Sequence, residues 1–234
     1  MKNVLIVTSL CLLFASTSVF GLQNFNVTMT ADNAYAIYWG DAVSATALIG
    51  NATNLTAGAI WSTESYALPV PDISYIYIAA WSDDSVKQGL LADFTNITLG
   101  GQVLSGDPIW EVTATGINLG NTDPPPTLAN LTTAILNANA GSNPSLGWVP
   151  NTPSPLTNAA GGIHGGAIVG IDGAARWMWY NSGLDSNPSA PFSGFNHNEY
   201  LIFRIPVVVP EPATIALLAF GSIAMLHKRK TSVR

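Results

Sequence analysis

The chain has 234 residues, which suits one domain of ordinary size or a somewhat large β-sandwich. Only 9% of residues are charged and 48% are hydrophobic, with 21 Gly and 15 Pro, which excludes a solvating disordered chain, a coiled coil and a nucleic-acid binder. The net charge of −6 is segregated: +1 over residues 1–21, −10 over 22–209 and +3 over 210–234, the pattern of an exported and membrane-tethered chain with an acidic middle.

Lys2, the apolar run Val4–Phe14 and the small-residue stretch Ala15–Gly21 predict a secretory signal peptide over 1–21. Val19-Phe20-Gly21 places cleavage after Gly21, with Ser16-Thr17-Ser18 as second choice; a buried N-terminal helix is the competing reading. Cys11, the only cysteine, lies within this run, and Leu10 before it is too large for a lipoprotein signal. Removal of 1–21 therefore leaves no thiol for a disulfide or a metal.

The middle, residues 22–209, predicts an all-β antiparallel sandwich or jelly roll with one short helix. Phe25, Val27 and Met29 alternate with polar neighbours, the period of a half-buried strand. After the turn signal Asp32-Asn33, Ala34–Trp39 continues as a strand. Ile73–Trp81 is apolar on both faces except at Ser74, which predicts a central strand. Thr127–Ala138 predicts the helix, with Pro126 at its start and Leu128, Leu131, Ile135 and Leu136 on one face. Residues 137–166, rich in Pro, Gly and Asn, interrupt the pattern and predict a long loop, mobile in the first reading and functional in the second. Ala174–Tyr180 predicts an aromatic strand. Leu201, Phe203 and Ile205 alternate with Tyr200, Ile202 and Arg204 in a last strand, expected to lie near the first, with the exit at 207–209 close to Gln23. On this register Phe203 is core, and Tyr200 costs less to lose unless its own face is also covered.

The far end reads Pro210-Glu211-Pro212, then the apolar run Ala213–Leu226, then His227 and the basic stop Lys228-Arg229-Lys230. Fourteen helical residues span about 21 Å against a hydrocarbon core of roughly 30 Å, short for a permanent anchor unless the flanking cations snorkel. The basic end is expected to stay cytoplasmic, leaving the acidic domain outside.

Residues 209–230 resemble the PEP-CTERM sorting signal in the order of their parts: Pro-Glu-Pro, a short apolar helix and an Arg/Lys-rich end. The resemblance implies a bacterial protein exported through the inner membrane and processed near Pro210–Pro212 by an exosortase-type membrane protease, with signal peptidase acting at the other end. An ordinary single-pass anchor is the alternative. A second resemblance, to galactose-binding-like jelly-roll modules, rests on Thr30–Tyr38, Trp61, Tyr66, Tyr75–Trp81, Gly89–Ala92, Trp110-Glu111-Val112 and Ala175–Trp179. It implies carbohydrate binding or a scaffold role. The chain departs from those modules at Trp39-Gly40-Asp41, where they commonly carry an Asn-Gly hairpin, and no binding residue carries over.

Seven Trp and seven Tyr suit stacking on a pyranose. Trp39, Trp61, Trp81 and Trp177 are expected in the core, whereas Trp148, then Trp179 and Tyr180, are the candidate glycan contacts. Asp32-Asn33 and Asp83-Asp84 offer oxygen ligands for calcium, but turn formation is the expected role, and no cofactor is expected. His164 and His197 lack a third metal ligand at any telling spacing. Five Asn-x-Thr sequons, at Asn26, Asn51, Asn54, Asn96 and Asn130, reflect an Asn/Thr-rich composition and do not establish glycosylation. No nucleophile elbow or phosphate loop is present, so no enzyme is expected; a glycoside hydrolase would need two carboxylates from a set whose only mature-domain glutamates are Glu64, Glu111 and Glu199. The expected function is a non-enzymatic cell-surface or extracellular-matrix protein associated with exopolysaccharide, as in a biofilm. A glycan-binding module is the alternative, ahead of the hydrolase.

Overall fold

The computed structural model describes residues 22–52, 62–71, 74–82, 87–98, 100–120, 122–142, 147–162, 165–182, 192 and 199–207. The signal-peptide and sorting segments, Trp61, Asp83-Asp84, His164 and His197 lie outside these residues.

Alternation builds the first strand as its sequence predicts: β1 (Leu22–Asp32) turns Phe25, Val27 and Met29 inward. It sits at the centre of a four-stranded antiparallel sheet, between β4 (Glu64–Pro71) and β6 (Gly89–Asn96), with the short β7 (Gln102–Leu104) at the edge. Facing it is a six-stranded sheet in the order β3 (Ala45–Ala52), β2 (Ala34–Gly40), β5 (Ser74–Trp81), β10 (Glu199–Val207), β8 (Glu111–Asn118) and β9 (Val149–Pro150). The main core lies between the sheets. Phe25, Val27, Met29, Leu68 and Phe94 come from one side, and Tyr35, Ile37, Ile76, Ile78, Leu201, Phe203 and Ile205 from the other.

The six-stranded sheet is buried on its outer face as well. Helix α1 (Leu128–Asn139) lies across it and packs Leu131, Ala134 and Ile135 against Ala36, Tyr38, Tyr77, Ala79, Trp81, Tyr200 and Ile202. Thr127 caps the helix by accepting the Asn130 N–H at 3.2 Å, and the Tyr38 hydroxyl donates to the Pro126 carbonyl at 2.7 Å. The buried stripe is Leu131, Ala134, Ile135 and Ala138, the i, i+3, i+4, i+7 set, so Leu128 and Leu136 point outward, contrary to their expected place. Small residues on both surfaces let the backbones approach, which is why alanines take those positions.

One further expectation is corrected. Ala174–Tyr180 forms no strand; it makes isolated bridges from Arg176 to Thr157 and from Met178 to Leu90. Ala175 and Trp177 pack with Leu91 outside the four-stranded sheet, while the consecutive Met178 and Trp179 both enter the inter-sheet core, which breaks the two-residue period a ladder requires. The described residues of 137–166 form a largely irregular segment, as expected, but one with fixed anchors. They begin inside α1, supply β9, and bury Ser154 and Asn158. The Asn158 amide donates to the carbonyls of Ile168 and Ile171, each at 3.0 Å, and its Oδ1 accepts the Ile168 N–H at 2.7 Å. Local hydrogen bonding of this kind leaves no hydrophobic period in the sequence. Trp81 and Trp177 are buried as expected, and Trp39 is half-buried against the rim of the core.

The described domain is entered at Leu22 and left at Val207, both at one end of the sandwich. Leu22 pairs with Pro71 and Val207 with Ser74, and Pro71 and Ser74 are joined by residues 72–73. β1 and β10 are thus near one another at this end, although they belong to opposite sheets.

Phe203 and Tyr200 are both buried, on opposite faces of β10, so both truncations should be costly. Phe203→Ala should lose roughly 3–5 kcal/mol and Tyr200→Ala a loss of similar order, each as for a buried aromatic. Chemical denaturation measures both; a Tyr200→Ala loss of only a few tenths of that for Phe203→Ala would contradict the covered outer face.

Candidate functional site

Paired positions across the outer face form one row: Tyr38 on β2, Tyr77 on β5, Arg204 on β10, Glu111 on β8 and Pro150 on β9. Arg204 occupies a polar phase of its strand, and its Nε and Nη2 both converge on Glu111 Oε2, at 2.8 and 2.7 Å. The arginine side chain is 12% exposed and the glutamate 39%. Burial of a cation in such a place requires a partner, and the carboxylate supplies it.

Trp148 lies over this pair. The Arg204 guanidinium carbon stands 3.8 Å from the Trp148 ring centroid and 4.9 Å from that of Tyr75. Tyr75 stacks on Tyr77 at 5.9 Å, and Tyr77 meets Trp148 at 6.2 Å. The Trp148 indole N–H donates to Asn139 Oδ1 at 2.8 Å, which fixes the ring to the last residue of α1. The Tyr77 hydroxyl donates to the Asp41 carbonyl at 2.6 Å, and burial is the largest cause of its raised pKa. Cation–π contact and the ion pair thus hold a half-buried aromatic shelf of Trp148 and Tyr75 beside Arg204 and Glu111. Such a shelf can stack on the apolar face of a sugar ring and offer hydrogen bonds to its hydroxyls.

Of the three aromatics singled out in the sequence, only Trp148 belongs here. Trp179 is 2% exposed and packs on Phe203 at 6.4 Å inside the main core, so its place at a strand end is corrected to a core role. Tyr180 is half-buried against that same core, and burial first, then Glu199, raises its phenol pKa. The sheet itself therefore separates these two from Trp148. Tyr75 and Arg204 were not among the sequence candidates, and Glu111 entered only as one of the glutamates a hydrolase would draw on. The available signal was Arg204, one of three cations in residues 22–209 and set in a clean alternating strand.

The remaining glutamates are engaged elsewhere. Glu64 accepts from the Tyr35 hydroxyl at 2.9 Å and from Ser62 at 2.8 Å, and Tyr35 also meets the Tyr66 hydroxyl at 2.9 Å. This cluster ties β2 of one sheet to β4 of the other. Burial, then the bond to Tyr66, pushes the Tyr35 phenol far above its ordinary range, so it stays protonated. Gly50 lies under the Tyr66 ring, where a Cβ would collide with it. Glu199, 4% exposed, accepts the Gly116 N–H at 2.9 Å and the Ser182 hydroxyl. Asp32 and Asn33 are both buried at the β1–β2 junction. Among the described residues no group of three His, Cys, Asp or Glu is disposed to hold a metal ion.

Residues 208–230 match the PEP-CTERM protein-sorting motif. No curated protein and no solved structure matches the chain, so the likeness to galactose-binding-like modules rests on its quoted residues alone. Among the described residues no helix is long and apolar enough to cross a membrane; the run Ala213–Leu226 lies outside them. The matched motif makes this an exported protein with a C-terminal signal for sorting by exosortase.

Because Trp148 and Arg204 depend on one another, their truncations should not add. Trp148→Ala and Arg204→Ala should each cost about 1–3 kcal/mol, with a coupling of roughly 0.5–1 kcal/mol in the double variant. Denaturation of the four proteins gives the cycle, and strict additivity would contradict the stacked arrangement.

Proposed function

We propose that this exosortase-sorted chain is a non-enzymatic envelope or extracellular-matrix protein, held at the membrane by Ala213–Leu226 until processing near Pro210–Pro212 and then associated with exopolysaccharide. The observation that carries the non-enzymatic reading is the engagement of every glutamate of the domain. Glu64 braces the two sheets, Glu111 neutralises Arg204, and Glu199 holds Gly116 and Ser182. Glycoside hydrolysis needs two Asp or Glu carboxylates facing one another across a bound sugar; the three glutamates serve separate structural contacts, which leaves only aspartates for such a pair. The acidic surface, −10 over residues 22–209, favours solubility in a hydrated matrix.

A glycan-binding role is the second reading, favoured by the Trp148–Tyr75 shelf beside Arg204 and Glu111. Affinity electrophoresis in host exopolysaccharide separates the two readings. A binder should be retarded, with retardation lost in Tyr75→Ala and weakened in Trp148→Ala; equal mobility of all forms would leave the scaffold reading. For the sorting claim, deletion of residues 210–234 should move the protein from the envelope to the soluble fraction, and a deleted form still lodged in the envelope would contradict it.

A further inference from the structure

The end of the sandwich where Leu22 starts and Val207 leaves also carries an uneven share of exposed apolar side chains. Leu22 is 54% exposed, Val43 in the β2–β3 turn 52%, Ile97 in the β6–β7 turn 58%, and Ile109, two residues before β8, 41%. The strand registers place these turns at one pole, since Gly40 pairs with Tyr75, Asn96 with Phe25, and Glu111 with Arg204 near the end of β10. Away from this pole, Ile117 is 52% exposed at the end of β8, and Val169, 88% exposed, stands beside Gly170, which faces Thr28 and Thr63 near the start of β4. Scattered exposed aliphatics are ordinary; their collection around the chain exit is what requires an explanation.

The length of the following chain supplies it. Five residues, 208–212, separate Val207 from the apolar run Ala213–Leu226. Fully extended, they reach no more than about 18 Å. Once that run enters a bilayer, this pole is held at the lipid surface, while the opposite pole stands a full strand length away. A tether this short gives a high effective concentration, so insertion of a few aliphatic tips suffices. The tips are well presented: Asp41 Oδ1 accepts the N–H groups of Val43 and Ser44 at 2.9 and 2.7 Å and the Ser44 hydroxyl at 3.0 Å, which fixes the turn that carries Val43. Neither Lys nor Arg occurs in residues 41–44, 97–101 or 105–110, and Asp41 and Asp107 lie among them, so attraction to anionic headgroups has no basis here.

We propose that before processing the domain docks this pole on the bilayer, with Leu22, Val43, Ile97 and Ile109 dipping into the interface of the lipid layer. The docking is apolar and therefore insensitive to salt. It rests on the membrane tether of the preceding reading, and the experiment separates the two. The chain without residues 1–21, which holds no cysteine of its own, receives a polarity-sensitive fluorophore at Val43→Cys, Ile97→Cys or Ile117→Cys, all exposed sites, and is reconstituted into vesicles of phosphatidylethanolamine and phosphatidylcholine containing a quencher lipid. The expected result is a blue shift and quenching at positions 43 and 97, unchanged in high salt, with position 117 remaining as in water. If the protein floats with the vesicles but all three probes report water, docking is wrong and the tether stands. If it does not float, the tether fails and docking with it. A shift at 43 and 97 that follows protein concentration without lipid would assign the pole to a second copy of this chain and overturn the lipid proposal.

Discussion

Burial of β5 on both faces is the constraint on which the rest of the structure depends. Ile76, Ile78 and Ala80 fill the space between the sheets, while Tyr77, Ala79 and Trp81 need a second cover on the other side. A strand of this kind cannot lie at an edge, and it sits with two strands on one side and three on the other. The helix is then required rather than optional: without α1, the outer faces of β2, β5 and β10 would expose Tyr38, Tyr77, Trp81 and Ile202 to water. Of the four large polar-tipped aromatics buried there, three place the tip on a backbone carbonyl, while the Tyr200 hydroxyl is buried without a hydrogen-bond partner among the described residues. Tyr38 finds Pro126, Tyr77 finds Asp41, and the Trp81 indole N–H finds the Gly120 carbonyl at 3.1 Å.

The same constraint explains how few charges the domain needs and where they stand. The helix covers only part of the outer face, and the row that runs past its end is closed by Arg204, Glu111 and Trp148 instead. The ion pair lies where the sheet passes from helix cover to solvent, so its carboxylate is more exposed than its guanidinium. Polar contacts elsewhere do comparable work. Tyr35, Tyr66 and Glu64 brace one edge of the sandwich, and Asn158 fastens the segment that covers the outside of the four-stranded sheet. With no cysteine beyond Cys11, side-chain hydrogen bonds and packing carry the cross-linking that disulfides supply in many exported domains.

Periodicity made β1, β10 and α1 legible in the sequence, because each has one face in a regular environment, and an unbroken apolar run made β5 legible as a strand covered on both faces. Where one segment serves two surfaces the signal vanishes. Residues 174–180 look like a strand by composition, yet Trp177 and Trp179 sit on opposite sides of the four-stranded sheet. The loop after α1 looked open because its anchors are a serine and an asparagine, which carry no hydrophobic pattern. For the shelf, Trp148 was visible as an isolated aromatic, but its partners come from three strands far apart in the chain. Nothing local in Tyr75, Glu111 or Arg204 announces that they meet. The sorting motif was legible for the opposite reason: it is contiguous, and the order of its parts is itself the signal.

The central claim is that β5 is the buried middle of a sheet covered on both faces, and native-state hydrogen exchange tests it most directly. The amides of Ile76, Ile78 and Phe203 should exchange only through global unfolding, with the dependence on denaturant of the whole domain, while those of β7 and Val149 on β9 exchange through smaller openings. Exchange of the β5 amides as readily as those of the edge strands would contradict the account.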